Sequence, residues 1–284
     1  MDIQYFADNW HSKSSSDIWQ DKSFWDERAD NWVKNFDSVS TGDGDGKVIQ
    51  DIEKLLLDEG ILFSGAEVID IGCGPGKYSA RFAKTAAHVT ALDLSDSMLF
   101  HAGENAKKAG CHNISFVSAP FQHVVPSEYG WEKKFDLVFS SLCPAVASYE
   151  SMQKICDMSK GYCFNRTFAY RNNDFLDEMH RVLMGTERNS PFKSNSLICT
   201  FGILSLMGYF PGIRYMDTYT CYRHELGEHS ARDYAMLLNH KKEPEPEMLK
   251  EVQAYLESAA VDGVVTENVH AKSALIWWNI NDTQ

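Results

Sequence analysis

The stretch Val68-Ile-Asp-Ile-Gly-Cys-Gly-Pro-Gly-Lys-Tyr-Ser79 decides the fold of this chain. Its opening run, Val68 to Ile71, has the length and β-branching of a buried parallel strand. Glycines then fall at alternate positions, Gly72, Gly74 and Gly76. Without a Cβ they allow positive φ and let bare backbone approach a ligand. Lys77 to Ala86 reads as a helix whose N-terminus points at the same spot. A strand, a glycine turn and a helix start make the nucleotide crevice of an open α/β sheet.

Two acids sharpen this reading. Asp70 lies at the end of the strand, beside the turn. A second strand, His88 to Leu92, ends in Asp93, 21 positions after Gly72. An acid at that distance suits a pair of ribose hydroxyls, because a carboxylate can accept from both. Dinucleotide sites space their glycines as G-x-G-x-x-G, whereas this loop is G-x-G-x-G.

The runs Asp70-Ile-Gly-Cys-Gly-Pro-Gly76 and Ala91-Leu-Asp-Leu-Ser-Asp-Ser-Met-Leu99 resemble those of the class I S-adenosylmethionine-dependent methyltransferases, most closely the branch acting on small molecules. The resemblance covers roughly Val48 to Leu183. It implies a doubly wound α/β fold, a mostly parallel seven-stranded sheet whose last strand is antiparallel. It also implies S-adenosylmethionine as cofactor, with contacts at Asp70, Gly72, Cys73, Gly74, Gly76, Asp93, Leu94, Met98, Ala119, Phe121 and Ser140. In that family the glycine turn lies against the methionine part and the acid matching Asp93 binds the ribose.

The loop after the third strand (Ile114 to Val117) contacts adenine in the family, often through an acid. Here Ser118-Ala-Pro-Phe-Gln122 has none, which leaves Ser118 or Gln122 as polar partner and Phe121 to pack on the ring. The fourth strand, Phe135 to Ser140, ends in Ser141-Leu-Cys-Pro144 rather than the Asn/Asp-Pro-Pro-Tyr of many amino-group methyltransferases. Methyl transfer from a sulfonium needs no nucleophilic side chain, so Cys143 reads as pocket wall.

Composition narrows the acceptor. The 284 residues hold 27 Lys and Arg against 40 Asp and Glu, a formal charge of −13. Such a surface repels phosphate backbones, and the lysine pairs at 107–108, 133–134 and 241–242 are isolated, so nucleic acid is a poor partner. Seven cysteines without a C-x-x-C fit reduced thiols in a cytoplasmic protein. The acidic N-terminus is no signal peptide, and the apolar run Leu197 to Met207 is too short to span a membrane.

The flanks suggest additions to one catalytic domain. In residues 1–46, Trp25, Ala29, Trp32, Val33 and Phe36 share a helical face, readable as a helix packed on the core or as a lid. Thr41 to Gly46 is a polar linker without the EF-hand pattern. After a fifth strand near Gly161–Phe168 and a helix at Asn173–Leu183, residues 185–212 read as an inserted substrate cap holding a helix at Asn195–Tyr209. Gly212–Arg223 alternates as a strand, and Ala274–Ile280 forms the last one.

Tyr222 and His224 are candidates for a general base, or else are side chains on the sheet surface. A metal at Cys221, His224, His229 and His240 is disfavoured, since strand residues three apart diverge. Two rival functions stand beside methyl transfer. One is a nicotinamide oxidoreductase on a similar sheet, which the glycine spacing disfavours; the other is a module that binds the cofactor without turnover.

Overall fold

A computed structural model describes residues 2–10, 21–26, 29, 45–186, 195–239 and 243–283. The strands β1 (Glu67–Ile71), β2 (His88–Asp93), β3 (Ile114–Ser118), β4 (Phe135–Ser141), β5 (Ser159–Asn173), β6 (Gly212–Glu225) and β7 (Val264–Asn279) form one sheet of order β3-β2-β1-β4-β5-β7-β6. Only β7 runs against its neighbours. The strand order reverses between β1 and β4, so the glycine loop leaves β1 at the switch point where such sheets open a crevice.

Apolar alternation on the strands feeds a core on each face. One face joins Ile69, Ile71, Val138, Ile276 and Trp278 to α1 (Ile3–Trp10), α5 (Tyr149–Met158) and α7 (Asn195–Leu206). The other joins Val68, Val89, Phe139, Phe164 and Leu275 to α2 (Asp45–Asp58) and α3 (Lys77–Phe82). The helix α4 (Asp96–Lys108) covers β2 and β3.

Several boundaries differ from the sequence reading, each for a physical reason. The first helix after the loop stops at Phe82 rather than Ala86, because Ala87 N–H turns to the Ala66 carbonyl and hands the chain to β2. Strand β5 continues to Asn173, past a bulge between Phe168 and Tyr170, by pairing along β7. Strand β7 starts ten residues before Ala274, at Val264, where Val265, Glu267, Val269, Ala271 and Ser273 alternate onto one buried face. β5, β6 and β7 therefore run past the carboxyl edge of the other strands. There they carry a third core made with α6 (Asp174–Met184), α8 (Ser230–Leu238) and α9 (Pro246–Ala259).

Within the N-terminal segment, residues 22–26 are helical and Ala29 is buried. Trp32, Val33, Phe36, most of the linker, residues 187–194 of the expected cap and His240 lie outside the described residues. The helix of the expected cap is α7. It packs on β5 and on α1, where a Cβ on Gly202 would meet the Phe6 ring at 2.5 Å. Trp10 Nε1 donates to Ser196 Oγ at 3.1 Å.

Candidate active site

The glycine loop is built by hydrogen bonds from both flanks. Gly72 and Cys73 N–H both donate to the Leu92 carbonyl, at 2.8 and 3.0 Å, which ties the loop to β2. Asn105, reaching from α4, donates to the Pro75 carbonyl at 2.8 Å. All three glycines have positive φ, but their surroundings differ. A Cβ on Gly72 would lie 2.5 Å from Cys143 Sγ, and one on Gly76 2.7 Å from the Ala102 Cβ. At Gly74 a Cβ would meet nothing within 4 Å. The first and third glycines allow close packing, while the middle one faces open space.

Asp93 closes the loop. Its Oδ2 accepts from Gly74 N–H and its Oδ1 from Ser95 N–H, both at 2.9 Å. The carboxylate is 8% exposed, and its remaining lone pairs are available to a ligand. Burial raises its pKa, opposed by the amides of Ser95, Gly74 and Leu94. Asp70 serves differently. It turns under α3 and accepts from Ser79 Oγ at 2.6 Å, and burial, with the nearby Asp93 charge, pushes its pKa up to about 7.

Burial also lifts the Cys73 thiol well above its ordinary value and Cys143 to about 12, so both are protonated wall groups.

The sheet brings Asp70, Gly72, Cys73, Gly74, Gly76, Asp93, Leu94, Ala119 and Ser140 to the carboxyl ends of four adjacent strands, with Met98 in the first turn of α4. Ser118 donates to Asp96 at 2.6 Å, which supplies an acid beside the loop after β3. Phe121 is buried in the core with the Lys154 ammonium over its ring, 5.0 Å from the centroid.

Tyr222 and His224 are not gathered with them. Ile71, Ser140, Asn165, Ile276 and Ile213 are level across the sheet. Tyr222 and His224 follow Ile213 by nine and eleven residues, about 30 and 36 Å of strand at ~3.3 Å per residue. They lie in the outlying lobe, where His224 Nε2 is 3.7 Å from the buried Glu267 carboxylate. Glu267 also accepts from Asn173, at 2.6 Å, and from Tyr234. Cys221 is exposed on the opposite face from His224.

Ser140 was named from the sequence, whereas Asn165 and Thr200 were missed. Ser140 Oγ, Asn165 Nδ2 and Thr200 Oγ1 are fully buried without a hydrogen-bond partner. Ser140, near the end of β4, and Asn165, midway along the longer β5, are register neighbours. A buried amide left so costs about 1–3 kcal/mol, a burden that concentrates at working sites. Asn-Arg inside the mostly apolar run Gly161 to Phe168 was the signal that could have found Asn165. Leu142, just beyond β4, holds a φ of 55°, a strained conformation for leucine.

A seven-stranded sheet with one reversed strand, and a glycine loop clasped by an acid at the switch point, are the parts of a methyltransferase-type fold. Residues 62–186 match the family described as a methyltransferase domain, and the fold is that of Rossmann-like methyltransferases. An uncharacterized protein of Haemophilus influenzae is 26% identical over 216 residues, 75% of this chain and 76% of that protein. The ubiquinone biosynthesis O-methyltransferase of Aromatoleum aromaticum is 37% identical over 71 residues, 24% of this chain and 30% of that enzyme. The crystal structure of magnesium protoporphyrin IX methyltransferase from Synechocystis PCC 6803 with bound S-adenosylhomocysteine shares the fold. Its TM-score is 0.53 at 13% identity, over 91% of this chain and 99% of that one.

Proposed function

We propose that this chain moves the methyl group of S-adenosylmethionine to a small-molecule acceptor bound over the end of β4 and the adjoining part of β5 at Asn165. The observation that carries this reading is the open space at Gly74 beside a clasped Asp93, with unpartnered Ser140 Oγ and Asn165 Nδ2 on the next two strands, β4 and β5. That arrangement fits the cofactor. Gly72 to Gly76 would cradle its methionine part, Asp93 its ribose, and Leu94, Met98, Ala119 and Phe121 would border the adenine, with Ser140 near the transferred group. Once bound, the cofactor's sulfonium supplies an already activated methyl.

The chain's residues then have to align and enclose rather than activate. Alignment alone can be worth about 7–11 kcal/mol. The rigid strand ends provide it, and α1 with α7 covers the adjoining face against water. Tyr222 and His224 receive no step, because the strand carries them into the outlying lobe. The similarity to an O-methyltransferase of ubiquinone biosynthesis supports an oxygen acceptor on a small molecule, and the formal charge of −13 supports it over nucleic acid. Seven free cysteines support a reducing, cytoplasmic setting; no helix among the described residues is long and apolar enough to cross a membrane.

The test is release of S-adenosylhomocysteine when purified protein and cofactor meet fractionated metabolites. Product formation that resists ribonuclease supports the reading. Tight cofactor binding with no turnover on any fraction would instead make the chain a binding module.

A further inference from the structure

Arg166 is 7% exposed and belongs to β5, one residue beyond the level of Ser140 and Asn165. It pairs with Leu275 in register, so it projects onto the face that holds α3 rather than the one covered by α7. Its Nε donates to Ser273 Oγ at 3.1 Å, and Nη1 reaches Tyr78 OH at 3.5 Å. Tyr78 is the second residue of α3, two positions after Gly76. The guanidinium therefore stands at the rim of the glycine loop.

Its partners are both neutral hydroxyls. A guanidinium carries five N–H donors and is always charged, and a buried cation is ordinarily matched by a carboxylate. The chain has 40 Asp and Glu, yet among the described residues none forms an ion pair with Arg166. Other arginines do have such partners: Arg81 with Glu53, Arg181 with Glu178 and Arg232 with Glu243. Asp70 shares this face but is engaged by Ser79 at 2.6 Å. Among the described residues no carboxylate thus neutralises Arg166. Replacing such a residue by an apolar one of similar length would ordinarily favour folding.

We propose that Arg166, with Tyr78 and Ser273, binds the carboxylate of a ligand at this site. This rests on the methyltransferase reading, and two molecules there could supply the group: the methionine part of the cofactor or the methyl acceptor. The planar fork suits a carboxylate bidentately, and Ser273 and Tyr78 fix its plane.

Calorimetry on the full chain separates the sources. In the first arm, wild type and Arg166→Met are titrated with S-adenosylhomocysteine and with 5′-methylthioadenosine, which lacks the amino-acid carboxylate. A loss of about tenfold or more for the former only assigns Arg166 to the cofactor, the scale of a charge-assisted hydrogen bond. In the second arm the protein, saturated with S-adenosylhomocysteine, is titrated with benzoate and with benzamide. Benzoate binding wild type better than benzamide, with that preference lost in Arg166→Met, assigns it to the acceptor. If S-adenosylhomocysteine affinity is unchanged and benzoate gains nothing over benzamide, the proposal is overturned. Wild type that binds neither nucleoside would overturn the methyltransferase reading itself. Should Arg166→Met fail to fold by circular dichroism, Arg166→Lys is read in both arms; it keeps the charge but not the fork, so a partial loss is expected and full retention counts against the proposal.

Discussion

Asp93 Oδ2 accepts the Gly74 amide at 2.9 Å, so the acid that ends β2 and the middle glycine of the loop after β1 form one unit. Asp93→Ala removes this clasp, the Ser95 contact and the ribose acceptor together. We expect S-adenosylhomocysteine affinity to drop by about 1.5–3 kcal/mol, the scale of hydrogen bonds to a charged group. Calorimetry on a folded variant checks it, and wild-type affinity would remove the ribose assignment.

The glycines separate packing from binding. Gly72→Ala drives a methyl to 2.5 Å from Cys143 Sγ and should cost stability, seen as a lowered melting temperature. Gly74→Val fills space that the chain itself leaves open, with only the left-handed backbone, φ 52°, to oppose it at about 1–2 kcal/mol. Its cofactor affinity should therefore fall by far more than its stability. Equal binding by Gly74→Val and wild type would mean that the loop cradles nothing.

This division was only half legible in the sequence. The spacing Gly72-x-Gly74-x-Gly76 and the position of Asp93 are local facts, and they were enough to place the cofactor loop and the sheet around it. Which glycine is packed and which is open depends on Cys143 and Ala102, far along the chain, and no local pattern reports it. Ala274 to Ile280 was recognisable as a strand because it is apolar on both faces. Val264 to Ser273 was missed because its buried alternation includes Glu267 and Ser273, polar residues satisfied only by partners from elsewhere. Tyr222 sits on the strand read as Gly212–Arg223 and His224 one residue past that end, but the length of β6 past the sheet edge, to Glu225, comes from pairing with that missed half of β7.

Asp70 gives a pH signature. Burial foremost, with the Asp93 charge, raises its folded pKa to about 7, against an ordinary value of 3.8. The folded state thus keeps a proton that the unfolded chain releases between these values. Stability from this group is complete below about pH 4 and is lost as pH rises towards 7. Asp70→Asn keeps an acceptor for Ser79 but cannot titrate. The stability of wild type minus that of Asp70→Asn, from urea unfolding at intervals between pH 4 and 8, should decline across the window. A flat or rising difference would mean that Asp70 is ionised in the fold.

The last prediction concerns the N-terminal segment as a lid. Asp26, in the helical turn at 22–26, accepts from Ser95 Oγ at 2.6 Å and from Ser97 N–H at 3.3 Å, at the start of α4. A negative charge is favoured there by the helix dipole. Lys22 pairs with both Asp26 and Asp96. The segment is therefore fastened within two residues of Asp93, at the ribose end of the proposed cofactor site. Burial works against the Asp26 charge, but bonds from Lys22, Ser95 and Ser97 outweigh it and hold its pKa at about 2. With a depressed pKa, the docking is intact above about pH 4 and weakens as pH falls towards 2. These polar contacts are part-buried at Ser95 and exposed at Lys22 and Asp96, and a segment held by them opens locally before the sheet does. Bound cofactor should add contacts and slow that opening. Hydrogen exchange of peptides covering residues 21–26 should thus be faster than in β1 and β4 in the free protein, slow on adding S-adenosylhomocysteine, and quicken in Asp26→Ala. Full protection already present without ligand, and unchanged by it, would make the segment a fixed part of the core.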